Sequence, residues 1–223
     1  MCGRFALYSD PFTLAKRFEA EELPELRPRY NVAPSQYIPI VREEDEKRRF
    51  ELARWGLVPH WAKDVKIGYH MINARAETVA EKPAFRTAFK YRRCLIPADG
   101  FYEWQVKPDS KVKQPWFIVL RDREPRAFAE LWEVWQSPEG EDLESCSIIV
   151  TDANELMRPI HDRMPVILAP EDWDTWLETE AKDAGGLQGL LKPYSAESMT
   201  AWPVSTKVNS PRNETAECIN VLS

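Results

Sequence analysis

The stretch RCLIPADGFYEWQV, Arg93 to Val106, decides the fold. It holds two runs rich in β-branched and aromatic residues, RCLIP (93–97) and GFYEWQV (100–106), with only Ala98 and Asp99 between them. Runs of that composition, bounded by turn residues, predict strands. Working outward, the same signature recurs in QYIPIV (36–41), FELARWGLV (50–58), PWFIVL (115–120), RAFAELWEVW (126–135) and CSIIVT (146–151). Helices are predicted at only three places. Asp10-Pro11 before FTLAKRF supplies a cap and a first-turn proline. KPAFRTAFKYRR (82–93) predicts a basic amphipathic helix with Phe85 and Phe89 on one face. PEDWDTWLETEAK (170–182) places acidic residues in its first turn, which suits the helix dipole. The strands are not regularly separated by helices, so a doubly wound parallel sheet is disfavoured. The expectation is an α+β fold, mostly antiparallel, with a barrel-like β core and a few peripheral helices. No break in composition marks a second domain, so residues 1–223 are expected to form one.

Bulk properties narrow the function. Hydrophobic residues make up 43% and charged residues 30% of the 223, an ordinary soluble composition. No apolar run approaches the length of a membrane span, and the first thirty residues lack the apolar stretch of a signal peptide. Cys2, Cys94, Cys146 and Cys218 are scattered, and only three histidines accompany them. A structural zinc site is therefore not expected, nor any other metal or cofactor, and the thiols are expected to be reduced. The net charge of −6 argues against indiscriminate nucleic-acid binding. It hides an asymmetry. Residues 1–100 hold 18 Lys/Arg against 14 Asp/Glu, a balance of +4, whereas residues 101–223 hold 12 against 22, a balance of −10. A protein acidic overall can still bind a polyanion through a basic face.

Several short segments could carry chemistry. Removal of Met1 would expose Cys2 as the N-terminus, joining an α-amine of pKa about 8 to a thiol of pKa about 8.5. Such an aminothiol can attack an acyl carbon, with the amine as base, or condense with an aldehyde to a thiazolidine. Alone, an MC start is more often incidental. In YNVAPSQ (30–36), Asn31 can cap a turn. MINARAET (71–78) sets Asn73, Arg75 and Glu77 at strand alternation, on one face. That face is either solvent decoration or the lining of a polar pocket. ADGFYEW (98–104) places Glu103 between Tyr102 and Trp104, where desolvation would raise its pKa; the alternative is a strand with Glu103 outward and the aromatics inward. In RPIHDRMPV (158–166), His161 lies in a polar, proline-fixed segment that suits a proton shuttle or simply a turn.

Taken in order, MCGRF, YNVAPSQ, RWGLVPHW, MINARAET, RCLIPADGFYEW, SIIVTDAN and IHDRMPVIL resemble the SOS-response-associated peptidase (SRAP) family from Cys2 to about Val204. The resemblance implies a protein that crosslinks covalently to abasic sites in single-stranded DNA. It implies Cys2 as the crosslinking residue once Met1 is gone, and Asn73, Glu103 and His161 as its catalytic companions. A protonated His161 or Glu103 would open the sugar ring, the amine would attack C1′, and the thiol would close a thiazolidine, with Asn73 holding the terminus or the sugar. Reversal would use acid from Glu103. Arg4 and Arg75 become expected phosphate anchors, Asn31 and Arg163 weaker ones, and Trp61 with His60 a surface on which bases stack. The expected partner is single-stranded DNA with an abasic site, without membrane or metal, and the protein is expected to be a monomer. Its expected location is cytoplasmic or nucleoid-associated in a bacterium and nuclear in a eukaryote. Rival readings are an amidotransferase-type or peptidase use of the N-terminal cysteine, including action on its own N-terminus, and a non-catalytic DNA-binding module.

Overall fold

The computed structural model describes residues 2–20, 24–108, 110–178 and 184–222. In chain order the first elements are β1 (Phe5–Leu7), α1 (Pro11–Phe18), β2 (Arg29–Val32), β3 (Tyr37–Glu44), β4 (Lys47–Trp55) and β5 (Asn73–Arg75). Then follow α2 (Arg86–Tyr91), β6 (Arg93–Ala98), β7 (Gly100–Gln105), β8 (Gln114–Leu120), β9 (Arg126–Gln136) and β10 (Asp142–Asp152). The chain continues with β11 (Arg163–Pro165), β12 (Ile167–Leu168), α3 (Trp173–Leu177), α4 (Ala184–Leu190) and β13 (Met199–Pro203).

Five strands close into a barrel in the order β10, β4, β3, β6, β9 and back to β10. All contacts in this ring are antiparallel except β10 with β4, where Ser145 and Cys146 run parallel to Arg54 and Trp55. The interior is identified by contacts between strands that are not neighbours. Arg42 of β3 lies over the Trp132 ring of β9 at 4.5 Å and pairs with Glu144 of β10 at 3.5 Å. Deeper in, Cys94 of β6 approaches the carboxylate of Glu130 on β9 at 3.7 Å. Burial pushes Glu130 up to about 8.

A second, antiparallel sheet, β13-β8-β7-β1-β2, packs against one end of the barrel. Phe5 meets Trp55 at 5.4 Å between ring centroids and Phe128 at 6.2 Å, and Phe101 meets Phe128 at 6.0 Å. The stretch 93–106 therefore does what its composition promised, and more. Its two strands lie in different sheets, and Asp99 alone joins them. Its carboxylate holds the turn by accepting hydrogen bonds from the backbone of Tyr8 and Ser9. Gly100 is needed here, because a Cβ would sit 2.5 Å from the Phe117 ring and 2.7 Å from the Ile118 carbonyl oxygen.

Helix α1 begins at Asp10, whose side chain accepts from Thr13 N–H at 3.0 Å. The basic segment 82–93 is helical only over Arg86–Tyr91. Its opening residues form turns on the Lys82 carbonyl, and Arg93 already belongs to β6. β4 stops at Trp55, short of the expected Val58, because Gly56 takes a φ of +124° in close contact with Gly68. The predicted helix over 170–182 is a 3₁₀ turn at Pro170–Asp172 followed by α3, and its last residues lie outside the described ones. No helix is long and apolar enough to cross a membrane among the described residues.

Candidate functional site

The N-terminal segment enters along β7. Phe5 pairs with Phe101 and Ala6 with Gly100, and Tyr102 N–H donates to the Arg4 carbonyl at 2.9 Å. Continuing that antiparallel register carries residues 2 and 3 past Glu103 and Trp104. Cys2 is completely buried in the main core. Burial, reinforced by the negative charge of Glu103, raises its thiol well above the ordinary cysteine value.

Glu103 has only 2% of its surface exposed, and burial pushes its carboxyl up to about 7. The alternation of β7 explains the burial. Phe101 belongs to the core between barrel and sheet, whereas Tyr102 belongs to a separate cluster on the opposite face with Phe117 and Val208. Glu103 shares the side of Phe101. The aromatic neighbours in sequence therefore do not desolvate it; the packing of sheet against barrel does. The outward-facing alternative for Glu103 is excluded.

His161 Nε2 lies 4.0 Å from Glu103 Oε2. Burial lowers the pKa of the imidazole, so the neutral ring is favoured near pH 7. Its Nδ1 faces both the Arg163 N–H at 3.0 Å and the Asp162 carboxylate at 2.8 Å, which leaves Nε2 as the ring nitrogen turned toward Glu103. The loop is held from β7. Gln105 Nε2 donates to the Pro159 carbonyl at 2.9 Å, and Gln105 Oε1 accepts from Trp116 Nε1 at 3.1 Å. At the other end, Asn154 accepts from Met157 N–H and donates to the Tyr194 carbonyl. Gln105 and Trp116 escape a motif search. The available signal is position, since Gln105 is two residues beyond Glu103 and on the same strand face.

Asn73 opens β5, which runs parallel to β10 with Asn73 beside Ile148. Both polar atoms of its amide are buried, and neither has a hydrogen-bond partner among the described residues. Such a group costs roughly 1–3 kcal/mol until something satisfies it. It is tied to the N-terminal strand through Trp55, whose indole donates to the Ile72 carbonyl at 3.0 Å and whose ring packs on Phe5.

The expected DNA contacts separate into two groups. Arg75 is exposed and makes no ion pair among the described residues, and Trp61 is half exposed. The Trp61 loop is pinned by Trp135 Nε1 to the Ala62 carbonyl at 2.7 Å and by Ser145 Oγ to Val58 N–H at 2.8 Å. Next to it, His60 lies 3.4 Å from Glu133. The others are engaged within the protein. Arg163 forms a two-pronged pair with Glu77 at 2.6 and 3.0 Å and a third contact with Asp152 at 3.2 Å. Glu77 lies past the end of β5, so it answers Arg163 rather than continuing the face of Asn73 and Arg75. Arg4 Nη1 donates to Asn31 Oδ1 and to the Val208 carbonyl, both at 2.7 Å. Asn31, expected at a phosphate, is fully buried, and its amide donates to the carbonyls of Val208, Ser210 and Asn213. Its role in this fold is to bind the C-terminal segment. Glu214 completes that clamp by accepting Tyr30 and Asn31 N–H at 2.6 and 2.8 Å.

No group of three His, Cys, Asp or Glu side chains is arranged to hold a metal ion among the described residues. The described site is an acid near neutrality, an imidazole and a buried thiol, with an unsatisfied amide on a strand joined to them through Trp55.

Comparison with known proteins covers the same ground. The family described as SOS response associated peptidase (SRAP) matches residues 1–211. The abasic site processing protein YoqW of Bacillus subtilis (strain 168) is 50% identical over 222 residues, spanning 98% of this chain and 99% of that protein. The abasic site processing protein HMCES of Xenopus tropicalis is 34% identical, spanning 88% of this chain and 67% of that protein. A solved structure of a protein from Bacteroides thetaiotaomicron, 27% identical, matches with a TM-score of 0.90 over 100% of both chains.

Proposed function

The chain belongs to the SOS response associated peptidase family, and from that premise we propose that it processes abasic sites in single-stranded DNA by forming a covalent crosslink through Cys2 after Met1 is removed. The observation that carries the reading is the burial of Cys2 against Glu103, a carboxyl held at about 7. A group titrating near the operating pH both gives and takes protons efficiently.

The chemistry follows from these residues. An abasic deoxyribose is mostly a closed ring. Opening it breaks the C1′–O4′ bond of the hemiacetal and requires a proton on O4′, supplied by protonated Glu103 or by His161 in its imidazolium form, while the C1′ hydroxyl gives up its proton to the resulting base. The Cys2 α-amine, the better nucleophile while burial keeps the thiol protonated, attacks the C1′ aldehyde. Loss of one water, again with a proton from the acid, gives the iminium. The Cys2 sulfur then bonds to C1′, the C=N electron pair returns to nitrogen, and the thiol proton passes to Glu103 carboxylate. The product is a five-membered thiazolidine, formed with net loss of one water. Asn73, with its amide unsatisfied, holds the amine or a sugar hydroxyl. Removing the iminium also removes the acidity at C2′ that drives strand cleavage, so the crosslink shields the lesion. Proton transfer from Glu103 to the sulfur, as the C1′–S bond breaks and the nitrogen lone pair re-forms the iminium, runs the sequence backward. Arg75 binds phosphate and Trp61 stacks on bases; Arg163 joins them where phosphate displaces Glu77. The chain works as one domain, and its own removal of Met1 is a further activity consistent with the cysteine–glutamate pair.

The test is incubation with a single-stranded oligonucleotide bearing one abasic site, followed by denaturing electrophoresis. A slow-migrating covalent species is expected. Its absence with protein lacking Met1 overturns the proposal.

A further inference from the structure

The hairpin tip between β7 and β8, residues 106–113, reads VKPDSKVK. It carries three lysines and one aspartate, in a half of the chain whose balance is −10. Lys107, Lys111 and Lys113 are all exposed, and none makes an ion pair among the described residues. Val106 and Val112 stand out with them, 67% and 57% exposed. Among the described residues, neither packing nor ion pairing accounts for this composition.

Its position does. Gln105 and Gln114 form the last pair of the hairpin's strands, and Gln105 is the residue bonded to the Pro159 carbonyl, two residues before His161. The base of the tip is therefore fastened to the His161 loop. Lys113 lies close enough that its charge adds to the burial that holds the imidazolium down. The tip thus extends the candidate site on its His161 side with positive charge.

We infer that the β7–β8 hairpin tip is a phosphate-binding arm for single-stranded DNA, with Lys107, Lys111 and Lys113 each neutralising a backbone phosphate beside the reacting sugar. This rests on the reading of the protein as a single-strand DNA binder, and it deepens that reading by adding a contact surface. Lysine is suited to the task as a flexible point charge, which recognises phosphate without fixing the base sequence. The valines flank the lysines on the same exposed tip and offer apolar surface to sugar or base faces.

The experiment measures binding to an oligonucleotide without an abasic site, as a function of salt, so that it does not depend on crosslinking. Each phosphate neutralised on a single strand contributes about 0.7 to the slope of log K against log salt. Replacing the three lysines with glutamine is expected to flatten the slope by about 2, and replacing them with arginine is expected to preserve it. All three positions are exposed, so both variants should fold, and the melting temperature checks this. An unchanged slope in the glutamine variant overturns the inference, as does an equal loss in the arginine variant or a wild-type protein that does not bind the strand. Wild-type binding with the expected slope change but no crosslink to an abasic oligonucleotide would overturn the crosslinking reading alone.

Discussion

Glu103 combines two effects that usually conflict. Its burial makes it a proton carrier near neutrality, and the same burial makes its ionised form costly to the fold. Glu103→Gln keeps the shape and removes the charge. The variant should crosslink about a hundredfold more slowly at saturating DNA, with affinity for the strand nearly unchanged, and it should melt higher than the wild type above pH 8. Single-turnover rates and thermal melts check both halves. Equal loss of affinity and rate would mark Glu103 as a structural residue instead. Asn31 lies at the opposite extreme. Three carbonyls of the C-terminal segment depend on its amide, so Asn31→Ala should cost about 2–4 kcal/mol in denaturant unfolding. A loss below about 0.5 kcal/mol, the size of an ordinary surface change, would show that the segment is held elsewhere.

At the scale of elements, the site depends on how β7 is tied to the His161 loop. Gln105→Leu removes the bond to Pro159 and the acceptor for Trp116 and so loosens the His161 loop, while Glu103 and His161 themselves are unchanged. The crosslinking rate at saturating DNA should fall about tenfold, the order expected when a catalytic group is misplaced by a fraction of an ångström, with half-saturation unchanged and the pH profile displaced. An unaltered pH profile with a lower melting temperature would mean that Gln105 serves only the fold. Elements were also where the sequence was most and least informative. The seven strands whose composition is strongly apolar and aromatic were legible, as was α1 with its Asp10 cap. β1, β2, β11 and β12 have two to four residues each, too few for a period-two pattern to register. The assignment of RCLIP and GFYEWQV to different sheets was not legible either, because it depends on a turn closed by Asp99 and on space that only Gly100 leaves. Of the candidate site, residues in extended motifs could be named, but contacts made across the fold could not. Arg163 and Asn31 read as phosphate ligands because their partners, Glu77 and the C-terminal carbonyls, lie 86 and up to 182 residues away.

For the whole molecule, the two buried carboxyls pushed to neutrality or above lead the response to pH, alongside Asp99, which burial also raises. Glu103 and Glu130 are raised from 4.5 to about 7 and about 8 by burial. The folded protein therefore holds protons that the unfolded chain releases above pH 4.5. The stability these groups contribute is complete below that value and is lost as pH rises through 7 and 8. Melting temperature should accordingly fall from about pH 6 to about pH 9, and Glu130→Gln should reduce the fall. A profile that is flat or rises over this range would contradict the burial of these acids. The two acids also divide the labour of the fold. Glu130 sits inside the closed barrel with Cys94 and takes no part in the proposed chemistry, whereas Glu103 lies where the second sheet meets the barrel and the N-terminus enters.

The account stands or falls on the joint use of amine and thiol on Cys2. The most direct measurement is the intact mass of the product formed with an abasic oligonucleotide, for protein lacking Met1, for protein made to retain it, and for Cys2→Ala. The account predicts a stable adduct only in the first case, with the mass of protein plus oligonucleotide less one water. A stable adduct from Cys2→Ala, or from protein that keeps Met1, would contradict it.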